Sequence, residues 1–521
     1  MEIFHIVVSI DHIAVEILHV DVSIDDIAVE ILDKNPNPMG LAASFCLLRE
    51  PGHHISNIPN LTCEDCTRLS PPSTLAEASS ASKELYLSRL RNRFVNRLLI
   101  AAAVAFFTST VAIAGVVGSG TPASCTEAVL STQVQAGGTV TFNCGAGPQT
   151  IPFTFTMAIG PSNPAVTIDG SDAITLDGTG LTLGMVSVFG NATSLPDVTF
   201  RHITFANGNI TTGLIAGGAI QNYGKLTLDT VVVRNSHADG NGAIFQEPCT
   251  GCLDPLLTVT RSLFQNNSTG GGGSAITVEG GTATVSDSTF TGNSGPSGGA
   301  IYIYSNSTFK VSMSIDRCTF NGNAAVPFSG GAIAVVVLNS GSSVSITNDT
   351  FTGNSATGAT GQGSAIYLGA SPVTITNCTI AGNSAASGGG AVYFGDRTAV
   401  VNNTIIASNG GGNCSLASGG TFTGGHNIQY GDSTCFFMTV ANPLLGSLGD
   451  NGGAARTMAL GTGSPAIDAA DPAKAPATDA RGVARTDGNG DGIVVADIGA
   501  FEAPTSTTNT NPLGRHHAVR H

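Results

Sequence analysis

Phe264-Gln-Asn-Asn267, Phe290-Thr-Gly-Asn293, Phe320-Asn-Gly-Asn323 and Phe351-Thr-Gly-Asn354 are four copies of one phrase. Looser copies flank them at Val232-Val-Arg-Asn235, Ile380-Ala-Gly-Asn383 and Ile406-Ala-Ser-Asn409. The spacings from Asn to Asn are 32, 26, 30, 31, 29 and 26 residues. A second phrase interleaves with the first: Gly218-Ala-Ile220, Gly242-Ala-Ile244, Ser274-Ala-Ile276, Gly299-Ala-Ile301, Gly331-Ala-Ile333, Ser364-Ala-Ile366 and Gly390-Ala-Val392. Self-similarity at such a period signals a stack of equivalent units.

Each period carries short β-branched runs, such as Ile301-Tyr-Ile-Tyr304 and Val344-Ser-Ile-Thr347, separated by Gly, Asn and Ser. No helix-length 3.6-residue pattern lies between them. One circuit of short strands per repeat predicts an all-β chain, a parallel β-helix, in which coils stack ~4.8 Å apart. Equivalent letters then form files along the stack. The Phe/Ile file fills the interior. Asn235, Asn267, Asn293, Asn323, Asn354, Asn383 and Asn409 form a structural ladder at a bend, where Asn tolerates a left-handed backbone and its amide bonds up and down the stack. Three residues before each Phe stand Asp229, Arg261, Asp287, Arg317, Asn348, Asn377 and Asn403. Opposite charges alternating up a column are what stacking requires, so this file reads as structural.

The chain has 521 residues, 67 Gly, no Trp, 11% charged residues and a net charge of −15. That acidity argues against nucleic acid or an anionic membrane surface as partner. Of the 11 cysteines, Cys125 with Cys144 and Cys414 with Cys435 bracket the repeats and are expected as disulfides in an exported protein. Cys249-Thr-Gly-Cys252 has no second CxxC or His partner in range, and a local disulfide is expected there too. Cys318 and Cys378 share a column two coils apart, ~9–10 Å, which is beyond bonding distance, so both are expected free.

Residues 1–84 are anomalous. Val8–Leu18 recurs almost unchanged at Val22–Leu32, a 14-residue duplication. The stretch is read as a disordered extension or a start placed too early, with an interaction module as the alternative. Residues 85–118 resemble a signal peptide: Arg89, Arg91, Arg93 and Arg97 precede the apolar run Leu98–Phe107, with cleavage expected after Ala114. A transmembrane anchor over Leu98–Val117 is the alternative. The β-helix is assigned to 119–412, a turn-rich C-terminal cap against the last coil to 413–502, and a disordered tail to 503–521.

The Gly-Ala-Ile and Phe-x-x-Asn phrases resemble the repeats of polymorphic outer membrane proteins. The strings Asn442-Pro-Leu-Leu-Gly446, Asp450-Asn-Gly-Gly453, Gly463-Ser-Pro-Ala-Ile-Asp468, Asp479-Ala-Arg-Gly482 and Asp497-Ile-Gly-Ala-Phe-Glu502 resemble the C-terminal block of choice-of-anchor Q β-helix proteins. This resemblance implies a right-handed, pectin-lyase-like β-helix, exported to the bacterial cell surface or released, with adhesin-like behaviour. The autotransporter barrel of the polymorphic proteins has no counterpart in this sequence, which puts insertion in the outer membrane in doubt.

Asp487, Asn489 and Asp491, with Gly492, match the opening of a calcium loop, and Asp497 follows one place before the twelfth position, where Ile498 stands instead of an acid; a Gly-rich turn without an ion is the alternative. No other cofactor is expected. No catalytic residues are assigned, because Lys225, His237, Asp239, Glu247, Glu279 and the other charged residues do not recur at matched positions. The expected function is non-enzymatic binding of glycans or cell-surface proteins by a monomer with no membrane span after signal cleavage. A secreted polysaccharide lyase or glycoside hydrolase is the alternative.

Overall fold

The computed structural model describes residues 3–10, 13–20, 31–33 and 115–505, apart from 212–215, 370, 371, 387, 396, 397, 419 and 437. The chain divides into two compact units, 1–111 and 112–521. In the first, Ile3–Ile10 pairs antiparallel with Ile13–Val20, which pairs antiparallel with Ile31–Asp33. The signal-like run up to Ala114 and the tail from residue 506 lie outside the described residues, as does most of the 1–84 stretch.

The second unit is a parallel β-solenoid, and its strands start at Gly115–Val117, earlier than the sequence suggests. One face is a ten-stranded sheet with one strand per coil, running from Met157–Ile159 through Ile301–Ser305 to Cys414–Leu416. Each coil continues into a longer strand such as Val311–Asp316, bends, forms a three-residue strand such as Thr319–Asn321, bends again and ends in a two-residue strand such as Ala324–Ala325. The parallel strands persist to Thr439–Val440, so the solenoid includes residues assigned from sequence to the cap.

Alternation fixes what is buried. Phe264, Phe290, Phe320 and Phe351 form one interior file, fully buried, with successive centroids 4.8, 4.8 and 4.7 Å apart and rings within 8° of parallel. Those spacings are the coil rise expected of parallel strands. Ile244, Ile276, Ile301, Ile333 and Ile366 form a second interior file on the ten-stranded face.

The pairing register corrects two sequence assignments by one residue. Val233, not Val232, pairs with Phe264. Asn235 therefore stands under Asn266, and Ser236 under Asn267, so the amide ladder begins at Asn267. The left-handed bend also lies one residue before the ladder: Asn235, Asn266, Gly292, Gly322, Gly353, Gly382 and Ser408 have φ of 53, 53, 65, 66, 64, 70 and 54°. The ladder asparagines act through their amides alone.

The same shift puts Thr230, rather than Asp229, in the charged file. That file is a second left-handed bend, running through His202, Thr230, Arg261, Asp287, Arg317, Asn348, Asn377 and Asn403. Arg317 holds Asp287 through Nε and Nη2, both at 2.8 Å, and also touches Asp316. Arg261 reaches diagonally to Asp229.

Two features differ from the sequence reading. Glu127–Ala136 is an α-helix, with Thr126 accepting from Val129 N, and it buries Glu127, Leu130 and Val134 against the first coils. The Glu127 carboxylate accepts from Thr154 N, Thr154 Oγ1 and Phe155 N at 2.8–3.2 Å, which satisfies it where it is buried. The C-terminal segment packs on the last coils, with Ala466, Ala470, Ala496 and Ile498 against Ile405, Ala407 and Ile428, and it also runs back along earlier ones. It turns back in a hairpin, Leu445–Gly449 with Thr457–Leu460, and then lies along the flank of the stack. Asn377 Nδ2 donates to Asp497 O, Asn403 exchanges bonds with Asp471 N and O, and Arg485 reaches Asn348 Oδ1. The bend file changes from charged residues to amides where this segment covers it, because a covered charge must be paired while an amide needs only hydrogen bonds.

Candidate ligand-binding face

On the ten-stranded sheet the residue after each inward Ile points outward. That file reads Gln221, Phe245, Thr277, Tyr302, Ala334, Tyr367 and Tyr393. Two residues further along the strand a second outward file contains Tyr223, Glu247, Glu279 and Tyr304, placed by the backbone bonds Glu247 N to Asn222 O and Glu279 N to Gln246 O. Tyr367 and Tyr393 stack with centroids 4.9 Å apart, Tyr302 and Tyr304 at 6.0 Å, and Phe189 and Tyr223 at 6.4 Å. One face thus carries five of the seven tyrosines of the chain.

The two glutamates lie one coil apart and have different surroundings. Glu247 Oε2 accepts from Tyr223 Oη at 2.5 Å and from Gln221 Nε2 at 2.9 Å. Burial, then the hydrogen bond and charge of Glu247, push the Tyr223 hydroxyl far up, so it stays a donor. Burial, then the neighbouring Glu247, push Glu279 up to about 7. Burial also pushes Tyr302 up to about 12. Beside Glu279 opens a cleft of about 470 Å³ lined by Asn241, Pro296, Tyr302, Tyr304 and Phe328. Chemically, the face offers aromatic rings, hydroxyl and amide donors, one carboxylate held by two donors and one carboxyl that titrates near neutrality.

Sequence reading scattered Glu247 and Glu279, yet each lies three residues after the Ile of a Gly/Ser-Ala-Ile phrase, at Ile244 and Ile276. The signal was present. The Phe-x-x-Asn phrase carries no trace of it, because the loop around Cys249–Cys252 lengthens the coil between the two glutamates.

The ladder residues meet as a chain of amides. Asn267, Asn293, Asn323, Asn354 and Asn383 each donate from Nδ2 to the Oδ1 of the Asn one coil on, at 2.9–3.0 Å, as far as Asn409, whose Nδ2 donates in turn to Asn413 Oδ1 at 2.9 Å. The structure joins Cys125 to Cys144, Cys249 to Cys252 and Cys414 to Cys435, with Cα atoms 5.6, 5.3 and 4.9 Å apart. Cys318 and Cys378 are free and buried. Between them in the file stands Asp349, a fully buried carboxyl to which sequence reading gave no role; it accepts from Cys318 N at 2.6 Å and Thr347 N at 3.1 Å.

In the acidic loop, Asp487 accepts from Gly490 N, Asp491 N and Gly492 N, and Asn489 Oδ1 accepts from Asp491 N. Asp497 is not brought to that loop: its oxygens accept from Asp468 N and Ala503 N, and it is buried. Among the described residues no group of three or more His, Cys, Asp or Glu side chains is placed to hold a metal ion. No helix among them is long and apolar enough to cross a membrane.

A family model described as a right handed beta helix region matches residues 299–442, the later coils of the solenoid. No curated protein matches the chain.

Proposed function

We propose that this chain is an exported, non-enzymatic β-helix that binds extended glycans at a bacterial surface or outside the cell, with the tyrosine-bearing outer face of the ten-stranded sheet as the contact surface. The observation that carries this reading is the placement of Tyr223, Tyr302, Tyr304, Tyr367 and Tyr393 on one side of a long, repeating sheet. Aromatic side chains combine a large apolar area with a polar tip, which suits ligands with both C–H faces and hydroxyls. A solenoid repeats the same contact at every coil, which suits a polymer more than a single small molecule. Three disulfides in one unit agree with life in an oxidising compartment. The resemblance of the C-terminal strings to choice-of-anchor Q proteins supports the surface setting and the adhesin-like role.

The test is binding of the folded protein to immobilised polysaccharides. Tyr302→Ala with Tyr304→Ala, and separately Tyr367→Ala with Tyr393→Ala, should each weaken binding by about tenfold or more. Unchanged binding in both variants refutes the assignment of the face.

A second reading, hydrolysis of a glycosidic bond, is favoured by the Glu247–Glu279 pair. The two carboxyls lie one coil apart on one face, and Glu279, pushed up to about 7 by burial and by Glu247, can serve as the acid across such a bond. Release of reducing ends by the wild-type protein, lost in Glu279→Gln, would establish that reading over simple binding.

A further inference from the structure

The groove between the C-terminal hairpin and the flank of the solenoid brings two arginine side chains together. Arg261, Gln265, Thr291 and Asn321 line it from the coils, and Leu448 and Arg456 from the hairpin, around about 480 Å³. Its one lining carboxylate, Asp287, accepts through both oxygens from Arg317 on the next coil, which it shares with Asp316. Arg261 gives one donor to Asp229, and its side chain remains 55% exposed, which leaves most of the five guanidinium donors open. Arg456 is exposed, and no carboxylate pairs with it among the described residues. Its backbone is fixed, since Arg456 O accepts from Thr319 Oγ1 at 2.6 Å. In a chain of net charge −15, two guanidinium groups lining one groove, one of them half-open and the other without an ion pair among the described residues, offer donors suited to an anion.

We propose that this groove binds an anionic sugar unit, with Arg456 and Arg261 holding its carboxylate or sulfate. Gln265, Thr291 and Asn321 face the remaining hydroxyls, and Leu448 packs on the ring. The sugar component rests on the glycan reading above; the charge component rests on the groove alone. The groove and the tyrosine face share no residue, so each can fail without the other.

The experiment is calorimetric titration of the full chain with short oligogalacturonate, a heparin-derived oligosaccharide of similar length and a neutral galacto-oligosaccharide. The expected result is binding of at least one anionic oligomer, weakened by salt and by about tenfold in Arg456→Gln. The uronate and heparin arms tell carboxylate from sulfate. Arg456 is exposed, so the variant is expected to fold, and an unchanged melting temperature checks it. Retained affinity in Arg456→Gln, equal binding of the neutral oligomer, or no anionic binding by wild type overturns the proposal. The signature of the groove is the salt-sensitive excess of anionic over neutral binding; loss of that excess in Tyr302→Ala/Tyr304→Ala, with Arg456→Gln unaffected, places the anion on the tyrosine face and refutes the groove.

Discussion

Asn323 and Asn354 are joined twice: the backbone N–H of Asn323 donates to Asn354 Oδ1 at 3.0 Å, and its Nδ2 donates to the same oxygen at 2.9 Å. Asn323 Nδ2 also donates to Phe290 O at 3.0 Å, tying the ladder to the phenylalanine file one coil below. A fully buried amide with every group satisfied costs little, and a damaged one costs the desolvation of each orphaned partner.

Asn323→Asp should therefore destabilise more than Asn323→Ala, because it removes both donors and sets an acceptor against Asn354 Oδ1. The expected losses are about 2–3 kcal/mol for Ala and more for Asp. Chemical denaturation of the three proteins measures the order; an Asp variant as stable as wild type is incompatible with the ladder.

Asp349 occupies a file in which Ser262, Ser288 and Thr404 do the same work on other coils, accepting an N–H from the neighbouring turn. Burial pushes its carboxyl well above the usual range. Asp349→Ser should raise stability by about 1 kcal/mol or more, since a hydroxyl keeps the acceptor role without a buried acid. A lower melting temperature for the variant contradicts this account.

Stability should fall as pH rises. Asp497 is raised to about 7 by burial and by Glu502 beside it, and Asp349 is raised too. A carboxyl that holds its proton more tightly folded than unfolded gives its full stability below the unfolded value near 4 and loses it as pH climbs through the folded one. The window for Asp497 is about pH 4 to 7, and the change at most about 4 kcal/mol. Melting temperatures across that range should decline, and Asp497→Asn should flatten the decline. The opposite slope, unaltered in the variant, defeats the assignment.

Calcium should have little effect. The oxygens of Asp487, Asn489 and Asp491 are turned onto the N–H groups of their own loop. Adding calcium or a chelator is expected to shift the melting temperature by less than about 2 °C, whereas a resident structural ion would stabilise by mass action.

Burial should also silence Cys318 and Cys378, whose thiols are pushed well up by the apolar surroundings. Neither should react with a thiol reagent in the native protein, and both should react on unfolding. Fast native labelling at either site would mean that the coil opens there.

The sequence by itself determined the axial order of this protein. Each coil contacts mainly the coils above and below it, so a motif that returns after one circuit must stack upon itself, and Phe264 to Phe351 could be placed without coordinates. The tertiary structure alone decided lateral matters: the one-residue register at Asn235 and Thr230, the meeting of Glu247 with Glu279, and the return of Asn442–Glu502 along Asn348, Asn377 and Asn403. Loops of unequal length separate neighbours in these cases, or the segment repeats nothing, so no periodicity records the contact. There the path of the backbone, closed by hydrogen bonds between residues more than a hundred positions apart, sets which side chains face one another.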